Sequence, residues 1–425
     1  MSQTLHIGLL GLGTVGSGIP LILSLNKEKI EGTTGTSFII NKAFVRNIES
    51  KKNIANQYNI TLTTELKEII EDENIEIVVE AMGGVTFAKK AIEDALKNKK
   101  HVVTANKDLI AQYGDELTQL AQKNGVYLYY EAAVAGGIPI LRTLTNSFSS
   151  DDIQLIQGIV NGTTNFMLTQ MNQKNWSYEE ALLEAQKLGF AESDPTNDVE
   201  GIDAAYKMII LTKLAYGMSF TLEDLEIKGI SQISANEMMF AKDLGYTIKL
   251  IGSAEKRRGK VNVEVSPVLL PMKHPLALID NELNGVLITS TGIGETLLTG
   301  AGAGAKPTAT SIVSDLVTIS KNITQNREVT PFSHYQVVKN LANTSDLLSN
   351  YLLVIECNDT EENQRTILEA ISSEGIVMEE LKKEIDEDKL MIGGIINNIS
   401  KESLQRLEDL LLTKNIRSIS HIKAL

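Results

Sequence analysis

The chain has 425 residues and a formal net charge of −14, with 43% hydrophobic and 22% charged residues. This length suffices for two or three domains with substantial cores. The acidic charge argues against nucleic acid as a partner, because phosphate binding relies on clustered lysine and arginine. The single cysteine, Cys357, excludes an intrachain disulfide and is consistent with a reducing compartment. The sequence has neither a signal peptide nor an apolar run of about 18 residues that would cross a membrane, so the expected location is the cytoplasm.

The N-terminal third alternates short apolar runs with helical patterns. An apolar strand at residues 5–10 leads into Gly11-Leu12-Gly13-Thr14-Val15-Gly16 and then into a helix at residues 15–25. In a dinucleotide-binding fold, Gly11 makes the tight turn, Gly13 lets the backbone approach the pyrophosphate, and Gly16 permits close packing of helix on strand. A helix N-terminus in this position favours negative charge. The alternative is a glycine-rich surface turn.

The residue that follows the second apolar run bears on cofactor choice. This run, residues 38–45, ends at Arg46. Sites that prefer NAD usually place an acidic residue at this strand end for the ribose 2′-hydroxyl, whereas arginine suits a 2′-phosphate. The sequence therefore favours NADP, with NAD still possible. Alternatively, Arg46 is a surface residue at a strand end.

Three further strands are predicted at residues 75–82, 101–104 and 126–130, with helices at 85–96 and 109–122 between them. This alternation predicts a doubly wound parallel sheet. Chemistry in such sheets gathers at the carboxyl ends of the strands, where Thr104, Lys107 and Glu131 fall. Lys107 is alternatively an ordinary lysine at the start of a helix.

An acid-rich stretch at residues 189–207 leads into a helix predicted at 202–216. Asp203 and Lys207 are neighbours on that helix, and such a pair is usually a solvated ion pair worth about 0.3–0.5 kcal/mol. The adjacent faces are apolar, however, so the pair is also compatible with a buried or cleft position. Carbonyl reduction by a hydride cofactor needs a nearby proton donor, and Lys207 is a candidate for that role.

The same stretch carries a family resemblance. The pattern Glu-x-Asp-Pro…Asp-x-x-Gly-x-Asp-x-x-x-Lys resembles the signature of homoserine dehydrogenase. It is formed here by Glu192, Asp194, Pro195, Asp198, Gly201, Asp203 and Lys207. Four other segments occur in the family's order, and the likeness covers roughly residues 5–325. These segments are residues 11–16, 104–107, 131–139 and 161–165.

The resemblance implies a reaction: reversible NAD(P)-dependent reduction of L-aspartate 4-semialdehyde to L-homoserine, on the path to threonine, isoleucine and methionine. It implies that Lys207 is the proton donor, with Lys107 as the second catalytic candidate. Two other activities stay open, namely an NADP-binding sensor without catalysis and a dehydrogenase acting on a related amino acid. The implied substrate-binding residues are Glu192, Asp203 and Asp198. The implied cofactor-binding residues are Gly11, Gly13, Thr14, Val15, Gly16, Arg46, Thr104, Lys107, Gly189 and Gly304.

The resemblance also implies a sodium site. Its ligands would be Glu131 and the main-chain carbonyl groups of Val134, Gly136 and Ile138. Oxygen-only ligation suits a hard cation. Taken by itself, the sequence is equally compatible with Glu131 as a helix-capping partner or a salt-bridge acceptor.

Four segments are expected. Residues 1–132 form the dinucleotide-binding domain, and residues 133–325 form an α+β domain for substrate binding and dimerisation, in which 300–325 return to the cofactor. Residues 326–349 form a linker. Residues 350–425 have a βαββαβ pattern that resembles an ACT regulatory domain, although the first loop, residues 358–362, lacks the glycine such domains commonly use. The chain begins with the nucleotide fold, so no fused aspartate kinase is expected, and the expected assembly is a homodimer or homotetramer.

Overall fold

The computed structural model describes residues 3–342, 348–386, 389–414, 416 and 418–425. Its N-terminal domain contains a six-stranded parallel sheet with strand order 3-2-1-4-5-6, which is the doubly wound dinucleotide fold predicted from the sequence. The strands are β1 Gln3–Leu10, β2 Thr36–Phe44, β3 Thr61–Thr63, β4 Ile77–Glu80, β5 His101–Thr104 and β6 Leu128–Tyr129. The helices are α1 Thr14–Leu25, α2 Lys27–Thr34, α3 Lys52–Tyr58, α4 Lys67–Ile70, α5 Thr86–Lys97 and α6 Lys107–Asn124.

The second domain packs helices on an antiparallel sheet, in which neighbouring strands follow the order β12-β11-β7-β9-β10. The sequence predicts a hairpin turn at Arg258 and Gly259, because they lie between two strand-like runs. The structure confirms this turn: both residues have positive φ, 50° and 78°, between β9 and β10. The strands are β7 Ile153–Ile159, β8 Glu226–Ile227, β9 Tyr246–Arg257, β10 Lys260–Pro271, β11 Leu283–Ser290 and β12 Gly294–Ala301. The helices are α7 Ile140–Arg142, α8 Gly162–Lys174, α9 Tyr178–Lys187, α10 Thr196–Val199, α11 Ile202–Tyr216, α12 Ala235–Asp243 and α13 Ala305–Thr324.

Helix α13 returns to the nucleotide domain. Its apolar face, which includes Ile312 and Leu316, is buried in the same core as β1 and β4. It lies against α1 at Gly18, where a Cβ atom would come within 2.4 Å of the Ala305 carbonyl oxygen. The chain thus crosses from the second domain back to the first and forms part of its core.

The C-terminal segment has the predicted element order βαββαβ. Its sheet continues the sheet of the second domain, because β16 pairs in parallel with β10 at Val268–Lys423 and Leu269–Ala424. Phe240 of α12 packs directly on Gly393 of β15. The segment therefore shares a sheet and a core with the second domain. Its elements are β13 Leu348–Asn358, α14 Glu361–Ser373, β14 Met378–Asp386, β15 Lys389–Ser400, α15 Lys401–Thr413 and β16 Ser418–Ala424.

The linker expected at residues 326–349 is described as far as residue 342 and again from 348, and its residues 343–347 lie outside the described part. It is held by both domains: the Tyr127 hydroxyl donates to the Arg327 carbonyl at 3.3 Å, and Val337 N–H donates to the Gly217 carbonyl at 2.9 Å. The linker is thus a strap across the molecule. No helix among the described residues is both long enough and apolar enough to cross a membrane.

Candidate active site

The glycine turn between β1 and α1 has the geometry of a phosphate-binding loop. Gly11 has φ of 98°, and a Cβ atom there would lie 2.7 Å from the Ala81 carbonyl oxygen; one at Gly16 would lie 2.1 Å from the Gly11 oxygen. Gly13 precedes α1 and has no neighbouring atom in the way of a Cβ. Gly11 and Gly16 are therefore required by the fold, whereas Gly13 faces open space, with Thr14 and Val15 in the first turn of the helix behind it.

Arg46 lies two residues beyond the end of β2. Its side chain is exposed and forms no ion pair within the described ranges. The guanidinium group is therefore available for an anion at this edge of the sheet.

A buried glutamate, which the sequence reading missed, ties the ends of β4 and β5 together. Glu80 is fully buried and accepts hydrogen bonds from the Thr104 hydroxyl at 2.6 Å and from Met82 N–H at 2.8 Å. Burial raises the pKa of Glu80. The Thr104 hydroxyl donates to Glu80 and accepts from Asn106 N–H at 3.0 Å, so its side chain holds the loop that follows β5. The only signal in the sequence was an acidic residue at the end of an apolar strand.

Asn106 fixes the start of α6, where Lys107 lies. Its side chain caps the helix by accepting from Leu109 N–H at 3.2 Å, and it donates to the Gly84 carbonyl at 2.6 Å. The loops after β4 and β5 are therefore joined, and this contact sets the position of Lys107.

Asp203 lies between the two candidate catalytic lysines. Its Oδ1 atom is 3.1 Å from Lys107 Nζ, and its Oδ2 atom is 2.6 Å from Lys207 Nζ. Lys207 also donates to the Val160 carbonyl at 2.6 Å. The side chain of Lys207 is 11% exposed and that of Lys107 33%. Asp203 therefore pairs with Lys207 on its own helix and with Lys107 on α6, so its carboxylate bridges α6 and α11.

Asn161 adds the second predicted carboxylate to this cluster. Its Nδ2 atom donates to Asp203 Oδ2 and to Asp198 Oδ1, both at 2.8 Å. Asn161 also caps α8, accepting from Thr164 N–H at 2.9 Å. In the sequence, Asn161 is distinguished only as part of a family motif. Its position shows that it aligns the two aspartates.

The charges of the cluster follow from its burial and its partners. Burial raises the pKa of Asp203, but the ammonium groups of Lys207 and Lys107 outweigh it and lower that pKa to about 2. Burial lowers the pKa of Lys107, but Asp203 and Asp108 outweigh it, so the net shift is upward. Burial and the charge of Asp203 raise the pKa of Asp198. At neutral pH, Asp203 is ionised and Lys107 is protonated.

Glu192 is not part of this cluster. It lies exposed in the loop between α9 and α10, where its main-chain carbonyl accepts from Gln186 at 3.1 Å. In the part of the chain that the structure describes, its carboxylate contacts neither lysine. Gly189, just after α9, has φ of 79°, which makes the turn that leads into this loop. The structure therefore brings Lys107, Asp198, Asp203 and Lys207 together and leaves Glu192 and Gly189 in the adjoining loop.

Glu131 lies beneath the boundary between the two domains. It is 1% exposed, and its two carboxylate oxygens accept from Leu141 N–H at 2.8 Å and Arg142 N–H at 3.0 Å. Arg142 in turn pairs with Asp315, which is fully buried on α13. Glu131 therefore has the contacts of both alternatives, since it caps α7 and its Oε2 atom lies 3.9 Å from Arg142 Nε. The roles of Arg142 and Asp315 were not evident from the sequence.

Two of the three carbonyl groups expected to bind sodium already accept one hydrogen bond each. The Gly136 carbonyl accepts from the Ser311 hydroxyl at 2.6 Å, and the Ile138 carbonyl accepts from Ile140 N–H at 2.8 Å. A carbonyl oxygen has two lone pairs, so each retains capacity for a cation. The donor set of Glu131, Val134, Gly136 and Ile138 consists of oxygens only and is chemically suited to a hard monovalent ion.

Gly304 precedes α13 and has φ of 115°, a conformation that favours glycine. The strand-to-helix loop here is packed tightly, since a Cβ atom at Gly136 would lie 2.4 Å from the Gly302 carbonyl oxygen. Because α13 contacts α1 at Gly18, the N-terminus of α13 lies beside the dinucleotide-binding helix.

Comparison with known proteins agrees with this geometry. Residues 11–131 match the NAD-binding domain of homoserine dehydrogenase, and residues 139–317 match the homoserine dehydrogenase domain. Homoserine dehydrogenase of Bacillus subtilis is 44% identical over 99% of both chains, and that of Lactococcus lactis is 43% identical over 96% of both.

Solved structures give the same result. A homoserine dehydrogenase from Thiobacillus denitrificans superposes with a TM-score of 0.93 at 33% identity, covering 100% of this chain and 98% of that one. A hyperthermophilic archaeal homoserine dehydrogenase in complex with NADPH superposes with a TM-score of 0.64 at 28% identity, covering 75% and 98%. The chain therefore belongs to the homoserine dehydrogenase family, whose members are NAD(P)-dependent oxidoreductases acting on a CH–OH group.

Proposed function

We propose that this chain reversibly reduces L-aspartate 4-semialdehyde to L-homoserine with NADP as the preferred cofactor, and that Lys207 donates the proton to the carbonyl oxygen. The observation that carries the proposal is the bridge of Asp203 to both Lys107 and Lys207, at 3.1 and 2.6 Å. The nicotinamide supplies the hydride when it is bound, and the protein orients the aldehyde and handles the proton.

Lys207 is better held for proton transfer than Lys107. A lysine ammonium has three N–H donors, and two of those of Lys207 are directed at Asp203 and the Val160 carbonyl, each at 2.6 Å. The third remains for the substrate oxygen. Lys107 belongs to the nucleotide domain and begins α6. There it suits binding of cofactor or substrate, and it remains the second candidate for the proton.

The substrate ammonium group would bind to the acidic side of the cluster. Asp203 already holds two lysines, so the ammonium group would replace one of these contacts, with Asp198 next to it and Glu192 supplied by the adjoining loop. Replacing the contact to Lys107 would leave Lys207 held by Asp203 and the Val160 carbonyl, with its third N–H toward the carbonyl oxygen. Substrate binding would thus leave the proton donor in position.

Arg46 accounts for the cofactor preference. The archaeal relative solved with NADPH supports a 2′-phosphorylated cofactor in this family. We expect Arg46→Asp to weaken NADP far more than NAD, because it removes a cation and adds repulsion at the 2′-phosphate. Michaelis constants for both cofactors, with Lys27→Asp as an exposed control, measure the effect; an unchanged preference would exclude the role of Arg46.

A sodium ion bound by Glu131 and the carbonyl groups of Val134, Gly136 and Ile138 would join the domain boundary to the start of α7. Thermal melting of the dialysed protein in sodium chloride and in tetramethylammonium chloride tests whether the ion binds. The expected result is a stabilisation that is specific to sodium and is lost in Glu131→Gln.

The proposed assembly is a homodimer or homotetramer, and the proposed location is the cytoplasm. The C-terminal segment is proposed to act as an ACT-like regulatory region.

The reaction itself is tested by incubating the purified chain with L-homoserine and either NADP or NAD and following the nicotinamide absorbance. Oxidation of homoserine, faster with NADP at limiting cofactor, is expected. A chain that binds NADP but turns over no amino alcohol would be a sensor. Faster turnover of L-serine or L-threonine than of homoserine would indicate a dehydrogenase for a related amino acid.

A further inference from the structure

A cavity of about 490 Å³ lies between α6 and α11. It lies farther along both helices than their N-terminal ends, where Lys107 and Asp203 meet. Its walls are formed by residues within 110–118 of α6 and 206–214 of α11, by the segment 219–223, and by the linker at Phe332, Ser333 and Gln336. Its lining as described does not include Lys107, Asp203 or Lys207. Its volume is within the range of about 300–1,000 Å³ that is common for small-molecule sites.

Tyr130 supplies an unpaired hydroxyl group to this cavity. The residue is 6% exposed, and its ring packs on Phe332 with centroids 5.0 Å apart. Among the residues that the structure describes, the Tyr130 hydroxyl has no hydrogen-bond partner. The hydroxyl oxygen is not enclosed by protein atoms and opens onto the cavity. The Tyr130 hydroxyl is therefore available to a bound molecule.

The charged residues of the lining are Asp115, Lys213 and Glu223. Lys213 Nζ pairs with Asp115 Oδ1 at 3.1 Å, so these two charges balance. Glu223 is exposed and has no ion-pair partner in the part of the chain that is described. The lining thus carries one uncompensated negative charge at its solvent side, which favours a cation.

We propose that this cavity binds a small hydrophobic cation, with its polar group hydrogen-bonded to the Tyr130 hydroxyl and its ammonium group facing Glu223. The apolar body packs against Ile209 of α11 and Phe220, which both line the cavity. Such a ligand contacts both helices that carry the candidate catalytic lysines, together with the strap that leads to the C-terminal segment. The proposal does not depend on the reaction assigned to the catalytic cluster.

Tryptamine is a suitable probe, because it combines an aromatic body, an N–H donor and an ammonium group. Its anionic counterpart of similar size is indole-3-propionate. Isothermal titration of the full-length protein is expected to show saturable binding of tryptamine at least tenfold tighter than binding of indole-3-propionate. Saturating homoserine is expected to leave the tryptamine affinity unchanged, because the cavity is separate from the catalytic cluster.

Three variants locate the binding. Tyr130→Phe is expected to weaken tryptamine by threefold or more, and Glu223→Gln to remove most of the preference over indole-3-propionate. Ala111→Phe fills the cavity and is expected to abolish binding. Glu28→Gln, an exposed carboxylate on α2, is the control and keeps the parental affinity. Thermal melting establishes that each variant is folded.

Three results would overturn the proposal. The first is failure of tryptamine to bind at millimolar concentration. The second is equal affinity for the cationic and anionic probes, with no effect of Ala111→Phe. The third is competition between tryptamine and homoserine, which would place the probe in the substrate site instead.

Discussion

At the scale of single residues, the arrangement of Lys207, Asp203 and Lys107 predicts different kinetic defects for substitutions at Lys207 and at Asp203. We expect Lys207→Ala to lower kcat by roughly 10²–10⁴-fold, the usual contribution of a positioned acid or base, with little change in NADP affinity. Asp203→Asn is expected to lower kcat and also to raise KM for homoserine, because it releases both lysines and removes the proposed ammonium partner. Steady-state kinetics with homoserine and NADP measure both effects.

Lys107→Ala is the informative comparison for this prediction. If Lys207→Ala keeps near-parental turnover while Lys107→Ala abolishes it, the proton donor is Lys107 and the α11 residues only bind substrate. Lys187→Ala is the matched control, since its exposed ion pair with Glu184 lies on the surface of α9. Near-parental kinetics are expected for this control.

His101 makes stability depend on pH. Its Nδ1 atom accepts from Tyr127 N–H at 3.0 Å, and burial lowers its pKa to about 4 from an ordinary value of 6.5. Since the unfolded chain takes up this proton first, the stabilisation is complete above pH 6.5 and is lost as pH falls through 4. The full loss is about 3 kcal/mol.

The measurement is urea denaturation between pH 7 and 4 of the parent and of His101→Gln, which cannot be protonated. We expect the difference in unfolding free energy between the two proteins to change between pH 6.5 and 4. Between pH 7 and 6.5 this difference is expected to be constant. Parallel curves for the two proteins would show that His101 titrates alike in the folded and unfolded chains.

The sequence predicted site residues unevenly, and the reason is the distance along the chain between partners. Asp203 and Lys207 are one helical turn apart, so their pairing is visible in the sequence. The contact of Asp203 with Lys107 depends on the packing of α11 on α6, which no local pattern specifies. Glu80 was missed because its partners, the Thr104 hydroxyl and the Met82 N–H, are defined only once β4 and β5 are adjacent.

At the scale of elements, the contact between α1 and α13 links the second domain to the cofactor. We expect Gly18→Ala to destabilise the protein by about 1–3 kcal/mol, the usual cost of overpacking, because the new Cβ would lie 2.4 Å from the Ala305 carbonyl oxygen. It is also expected to raise KM for NADP more than KM for homoserine, since displacing α13 disturbs the dinucleotide-binding helix. Urea denaturation and kinetics measure these effects.

Gly32→Ala on α2 is the matched control, because a Cβ atom there meets no neighbour within 4 Å and alanine favours helix. Its stability is expected to be unchanged or slightly higher. Equal behaviour of the two variants would show that α13 is free to shift and does not depend on Gly18.

Long periodic elements were predicted well, and short ones were not. The hairpin at Arg258 and Gly259 was predictable because a two-residue segment with a glycine lies between two long strand-like runs. Strand β3, Thr61–Thr63, was missed because three residues give no periodic signal, although it forms the edge of the parallel sheet beside β2. Helix α2 was missed because its sequence has little apolar periodicity and is stabilised by its neighbours.

At the scale of the whole molecule, one sheet joins the catalytic and C-terminal regions. The βαββαβ order was predictable from local patterns, but the pairing of β16 with β10 is a contact between distant segments and has no local signature. Apolar residues of the C-terminal strands, including Leu352 and Ile422, belong to the same core as Phe240 and Leu269. The two regions are therefore expected to unfold together.

A chain ending at residue 342 tests this continuity. Removing the C-terminal strands exposes several apolar side chains, each worth about 1.5–3 kcal/mol when buried, so we expect the melting temperature to fall by roughly 10 °C or more. Turnover of homoserine is expected to fall in parallel, because Gly201 at the start of α11 packs against Ile227 and Val265 of the exposed sheet. Circular dichroism and activity are followed over the same temperature range, with the full-length chain as the reference. A truncated protein that melts within 2 °C of the parent and retains its kcat would instead establish the C-terminal segment as an independent module.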